Sequence, residues 1–133
     1  MKTIKTLIFV VAAALLASCA TTVKFPVSNV TPAAVITAKK KQDKHDNYII
    51  ELTANNLAAA DRLNPPRSHY IVWIISDNKS VINVGRLTNR NARNTNLKVT
   101  TPHNATAIFI TAEDQSDLSF PTGVEITRAS FDK

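Results

Sequence analysis

The sequence predicts an all-β domain, an antiparallel sandwich or barrel of about eight short strands. Three observations carry this reading. Short runs of alternating apolar and polar residues recur about every ten residues, the spacing of a sandwich or barrel. No helical period is sustained after Leu16. The composition, 44% hydrophobic and 20% charged over 133 residues, fits one globular domain rather than a disordered or collagen-like chain.

Each strand has its own justification. Val23, Phe25 and Val27 alternate with Lys24, Pro26 and Ser28. Pro26 has no N–H to give a ladder, so this strand belongs at an edge. Thr31-Pro32 ends it. A second strand covers Ala34 to Lys41, around Val35, Ile36 and Thr37, and runs into a charged turn that ends at Asn47. Tyr48, Ile50, Leu52 and Ala54 alternate with Ile49, Glu51 and Thr53, a half-buried strand stopped by Asn55-Asn56. In the connection from Leu57 to Ser68, Leu57 to Leu63 has room for one helical turn, favoured by Ala58-Ala59-Ala60 and stopped by Pro65-Pro66.

Tyr70 to Ser76 is apolar on both sides, with Tyr70, Val72 and Ile74 on one and Ile71, Trp73 and Ile75 on the other. Such a run is a central strand covered on both faces. Asp77 to Ser80 forms a hairpin turn, and Val81 to Leu87 returns with Gly85 marking a bulge. A polar loop from Thr88 to Asn96 precedes a short strand, Leu97 to Thr101, and the turn Pro102-His103-Asn104. Ala105 to Ala112 is a strand, Glu113 to Gly123 an acidic loop, and Val124 to Ser130 the last strand, with Phe131 pinning the tail. Core candidates are Tyr48, Trp73, Ile74, Phe109, Ile110 and Ile126. The chain has only two glycines, so positive φ in turns falls to its twelve asparagines.

The N-terminus reads as an export signal. Lys2 and Lys5 form a positive region, and the ten residues from Leu7 to Leu16 carry no charge. Ten helical residues reach about 15 Å, half of a hydrocarbon core of about 30 Å, so the run is no stable membrane span. Leu16-Ala17-Ser18-Cys19 follows. This order resembles the lipobox of bacterial lipoproteins. The resemblance implies that residues 1–18 are a signal peptide cleaved at the Ser18–Cys19 bond, that Cys19 carries a diacylglyceryl group, and that residues 19–22 form a lipidated tether. In that family an Asp after the Cys directs retention at the inner membrane. Ala20 stands there instead, and no acidic run follows, which favours the outer membrane, facing the periplasm. Cleavage takes Lys2 and Lys5 and no acid from a formal charge of +6, leaving +4 on 115 residues. That charge suits an anionic membrane surface and is too sparse for nucleic acid.

Little in the remaining 23–133 points to catalysis or metal. The single Cys excludes an internal disulfide framework and multi-cysteine metal sites, and two glycines exclude Gly-rich phosphate loops. His45, His69 and His103 lie 24 and 34 residues apart, without the spacing of a zinc site. Glu113, Asp114 and Asp117, with Gln115 and Ser116, match no calcium loop and read as a solvated acidic turn. No Gly-x-Ser-x-Gly elbow and no acid–base pair in context is present, so no enzyme, no metal and no cofactor beyond the lipid are expected. Trp73 reads as core rather than as a sugar-stacking platform. Asn64-Pro65-Pro66-Arg67 is the most pointed surface feature. It is either a rigid partner-binding loop with Arg67 standing out, or a stiff inter-sheet crossover with Arg67 paired to an internal acid or carbonyl. Lys39-Lys40-Lys41 reads as a solvated hairpin end that also lies within reach of lipid head groups.

Tyr70-Ile71-Val72-Trp73, Val84-Gly85-Arg86-Leu87, Ile108-Phe109-Ile110-Thr111-Ala112-Glu113 and Pro121-Thr122-Gly123 occur in an order that resembles the extracytoplasmic immunoglobulin-like domain of membrane anti-sigma factors. The likeness spans roughly residues 48–128. It implies an immunoglobulin-like β-sandwich of about seven to eight strands. It also implies a sensing or partner-binding role in the envelope. Sigma inhibition is not implied, because no sigma-binding segment and no transmembrane helix are read here. The expectation is therefore a lipid-anchored, non-enzymatic envelope lipoprotein with an immunoglobulin-like interaction domain. It touches the membrane through its acyl chains and an envelope protein through its surface. A small-ligand or carbohydrate-binding lipoprotein and a purely structural envelope component are the alternatives.

Overall fold

The structure, a computed structural model, describes residues 20–88 and 94–132. The expected signal segment 1–18, the Ser18–Cys19 bond and Cys19 itself lie outside the described residues. Among the described residues there are eight strands: β1 (Ala20–Lys24), β2 (Val35–Gln42), β3 (Tyr48–Asn55), β4 (His69–Ser76), β5 (Val81–Leu87), β6 (Asn94–Thr101), β7 (Ala105–Glu113) and β8 (Val124–Ser130). The expected helical turn is a single 3-10 turn at Ala60–Arg62.

Two four-stranded antiparallel sheets form a sandwich, one in the order β1-β2-β3-β6 and the other β5-β4-β7-β8. The chain changes sheet after β3, β5 and β6. From β2 onward, three strands face four, and β6 returns to lie beside β3 while β7 returns beside β4. This is immunoglobulin-like Greek-key connectivity, with β1 added on the outer edge of the first sheet.

Side-chain alternation explains the first sheet. Ile36, Ala38, Ile50, Leu52 and Ala54 point inward and are buried, while Lys39, Lys41 and Glu51 point outward. The second sheet is covered on both faces. Tyr70, Val72, Ile74, Ile108 and Ile110 enter the inter-sheet core. Ile71, Trp73 and Phe109 form a small core on the opposite face, closed by Ile75 and Leu118. The loop between β7 and β8 supplies that cover: the Asn83 side-chain amide donates to the carbonyls of Ser116 and Leu118, both at 3.1 Å. The Trp73 and Phe109 rings stack at 6.3 Å, and the Arg128 guanidinium lies 4.3 Å over Phe109. A loop thus does for β4 what another layer of structure does in a larger protein.

Several expectations need correction. The edge strand ends at Lys24, before Pro26, and begins at Ala20. Ala20, Thr21 and Thr22 are therefore not a loose tether but partners of Lys41, Lys40 and Lys39. β6 starts three residues early, at Asn94, because its polar outward residues face solvent rather than a core. Tyr48 is only half-buried, since it opens β3 at the end of the sandwich. Among the described non-glycine residues positive φ falls on Asp46, Asn56 and Lys79, only one of them an asparagine. Local bonds impose these turns: the Asp43 carboxylate accepts from the His45 and Asn47 amides, and the Lys79 amide donates to the Ser76 carbonyl. Gly85 is at φ 143°, opposite the register shift between Val72 and Trp73, and is the expected bulge.

The two ends of the sandwich differ. One carries Ala20, Lys41, Tyr48, Thr101, Ala105 and Ser76; the other carries Lys24, Asn55, His69, Leu87, Asn94 and Glu113. They are termed the N-terminal end and the far end below.

Candidate functional site

At the far end, the β3–β4 connection wraps into a tight hook. The Arg62 amide donates to the Ala59 carbonyl at 2.9 Å, and the Leu63 and Arg67 amides both donate to the Ala60 carbonyl. The hook is fastened to the sandwich in three ways. The Tyr70 hydroxyl donates to the Ala58 carbonyl at 2.6 Å, the Ser68 amide to the Glu113 carbonyl at 3.0 Å, and Leu57 is buried in the core. Asn64 joins Pro65 through a cis peptide bond.

A groove of about 570 Å³ lies between this hook and the last residues of β5, walled by Asp61, Arg67, Ser68, His69, Tyr70 and Arg86. Burial and the nearby Asp61 carboxylate push the Tyr70 phenol up to about 12, so it stays a neutral donor. Arg67 does not stand out from the loop. Its Nη1 lies 3.1 Å from Asp114 Oδ2, and its Nε is buried without a partner. Asn64, Pro65 and Pro66 are exposed. Arg67 is thus held by an acid of this chain while the rest of the loop is exposed.

Glu113 is not part of a solvated acidic turn. It is the last residue of β7 and only 1% exposed. Thr111 Oγ1 donates to its Oε2 at 2.6 Å and Thr122 Oγ1 to its Oε1 at 2.7 Å, while the Thr122 and Gly123 amides also donate to it. Thr111 Oγ1 in turn accepts from Trp73 Nε1 at 2.8 Å. Burial pushes this carboxyl up, but the four donors outweigh it and hold the group below the usual carboxylate range. Gly123 permits the approach: a Cβ there would lie 1.9 Å from the Ala112 carbonyl oxygen. Asp114 and Asp117 remain exposed.

His69 borders the groove, whereas His45 and His103 occupy turns at the N-terminal end. Among the described residues, no group of three His, Cys, Asp or Glu side chains is placed to hold a metal ion. No helix among them is long and apolar enough to cross a membrane. The grouping of Arg86, His69 and Asp61 is not visible in the sequence, because only the β4–β5 register and the folded hook bring them together. β4, β5 and β7 are adjacent in one sheet, and Thr122-Gly123 closes on Glu113. No family model matches the chain, and neither a curated protein nor a solved structure matches it.

A second feature collects at the same end. Of the six exposed large hydrophobic residues among the described ones, Val27, Val30, Val35, Phe120 and Val124 lie in or beside the far-end β1–β2 and β7–β8 connections. Only Val81 lies at the N-terminal end.

Proposed function

We propose that this chain is a lipid-anchored, non-enzymatic lipoprotein of the bacterial cell envelope that binds a protein partner with the far end of its immunoglobulin-like sandwich. The observation that carries the binding half is the gathering of five exposed large hydrophobics at one end. Isolated surface hydrophobics are ordinary, but their concentration at one end is the mark of an interaction site. The anchoring half is supported by the lipobox-like Leu16-Ala17-Ser18-Cys19 directly before β1. The eight residues of β3 at about 3.3 Å each put some 26 Å between the two ends, so the binding end is clear of the acyl chains.

Two measurements test this reading. Mass spectrometry of the mature N-terminus is expected to find an acylated Cys19, and Cys19→Ala to leave the protein unprocessed or soluble; an unmodified Cys19 or cleavage elsewhere refutes the anchor. Photocrosslinkers at Val27 and Phe120 in the native envelope are expected to trap one envelope protein that a crosslinker at Val81 does not. Equal capture from all three positions refutes the far-end site. The polar groove favours a second reading, a small polar or carbohydrate ligand held by Tyr70, His69 and Arg86.

A further inference from the structure

The outer face of the first sheet is flat and basic. Cross-strand partners share a face, so the register places Lys24, Lys39, Lys41 and Lys98 together on the side opposite the core. Most of their neighbours there are short and polar, Thr22, Thr37, Thr53, Asn96 and Thr100, with Ile49 between Lys41 and Thr100 and Val35 at the far-end margin of the same face. Long ammonium side chains thus rise from a low surface and can meet a plane together. All four lysines are exposed, and among the described residues none is in an ion pair. Glu51 is the one acid on this face; the other nine acids of the chain lie elsewhere. Lys40 differs. It points inward, its Nζ donating to Asn104 Oδ1 and the Ala105 carbonyl beneath the Phe131 ring, and burial lowers its pKa. Two lysines of the Lys39–Lys41 run are therefore deployed outward and the third serves the fold.

We infer that this face lies against the anionic phospholipids of the membrane that holds the anchor. The inference rests on lipidation at Cys19, because that fixes which face is near a bilayer. β1 begins one residue later, so no slack separates the lipid from the sheet, and Ala20 pairs directly with Lys41. A domain so attached meets the head groups with whichever face favours them, and juxtamembrane lysines are attracted at about 1 kcal/mol each, roughly a fivefold gain in partitioning per residue. The result is a domain lying along the membrane rather than standing from it, with the far end facing sideways.

The test uses unlipidated residues 20–133, which contain both sheets and the entire described core, so the state of Cys19 plays no part. At low salt the domain is expected to sediment with vesicles of 30% phosphatidylglycerol in phosphatidylcholine and not with pure phosphatidylcholine, with binding falling as salt shortens the screening length to about 8 Å at physiological strength. Lys39→Gln/Lys41→Gln should weaken binding about 25-fold and the fourfold Lys→Gln variant more than about 100-fold. Lys44→Gln/Lys79→Gln, off this face, should leave it unchanged. Thermal melts verify that each variant folds. Equal binding to neutral vesicles, no binding to anionic ones, loss in the Lys44/Lys79 variant as well, or equally tight retention on DNA would overturn the inference. Any of these with Cys19 found acylated removes the docking face and leaves the anchor standing.

Discussion

Replacing Glu113 by Gln exchanges one atom and removes one charge from the buried network that joins β7, Trp73 and the entry to β8. The carboxylate accepts from two hydroxyls and two backbone amides. A glutamine offers one acceptor oxygen and turns a second donor toward groups that are themselves donors. If its amide nitrogen faces Thr122, an N–H opposes an N–H; if it faces Thr111, that hydroxyl loses the acceptor it needs while receiving Trp73 Nε1. Either way at least one buried donor is orphaned, at about 1–3 kcal/mol, and the charge assistance of the rest is lost. The expected destabilisation is about 2–4 kcal/mol. For a domain of this size that is a fall of roughly 8–15 °C in melting temperature. Urea unfolding followed by the emission of Trp73, the only tryptophan, measures it directly. The pH dependence adds a second check. A carboxyl whose folded pKa lies below its unfolded value of about 4.3 contributes stability that is complete above that value and is lost as pH falls through the folded pKa. The difference between wild type and Glu113→Gln should thus be constant above about pH 5.5 and shrink below pH 4. A loss under about 0.5 kcal/mol, or a difference that grows toward acid, would refute the reading of Glu113 as an ionised, donor-saturated group.

Two further variants probe the same sheet. Trp73→Ala is expected to cost about 3–5 kcal/mol by calorimetry, since it empties the small core behind β4 and releases Thr111; a loss below about 1 kcal/mol would mean that the β7–β8 loop does not cover this face. Gly123→Ala forces a methyl to within 1.9 Å of the Ala112 carbonyl oxygen, so a loss of about 2–3 kcal/mol is expected in urea unfolding, with amide exchange accelerated at Thr122.

The strands were legible wherever side chains alternate or pack on both faces. Tyr48–Asn55 and His69–Ser76 carry patterns that a period of two cannot disguise, and Val124–Ser130 is bounded as read. The two ends of the first sheet were not legible. Ala20–Thr22 and Asn94–Asn96 lack apolar alternation because they lie on edges of the first sheet with an open outer face, where the ladder rather than burial holds them. The same cause hid the basic face. Lys24 and Lys98 are 74 positions apart, and only the register through β2 and β3 unites them. Glu113 was misread for a different reason. A carboxylate beside Asp114 and Asp117 looks solvated, and nothing short of the fold reveals that Thr111, Thr122 and Gly123 converge on it.

The unequal cover of the two sheets decides which surfaces are free for function. The β7–β8 loop is spent on the back of the second sheet, where Leu118 seals Trp73 and Phe109 and Arg128 caps the ring. That face is therefore closed, and its stability depends on the Glu113 clasp that returns the loop to β8. Among the described residues nothing covers the first sheet in this way, so its outer residues are mostly polar, and four of them are lysines. What remains uncommitted is the far end, where backbone bonds and the buried Leu57 and Ala60 fix the hook while Val27 and Val30 of the β1–β2 connection stay exposed. A rigid frame that leaves apolar side chains unburied at one end, with a basic sheet face alongside, is the pair of surfaces on which the proposed partner binding and the inferred membrane contact rest.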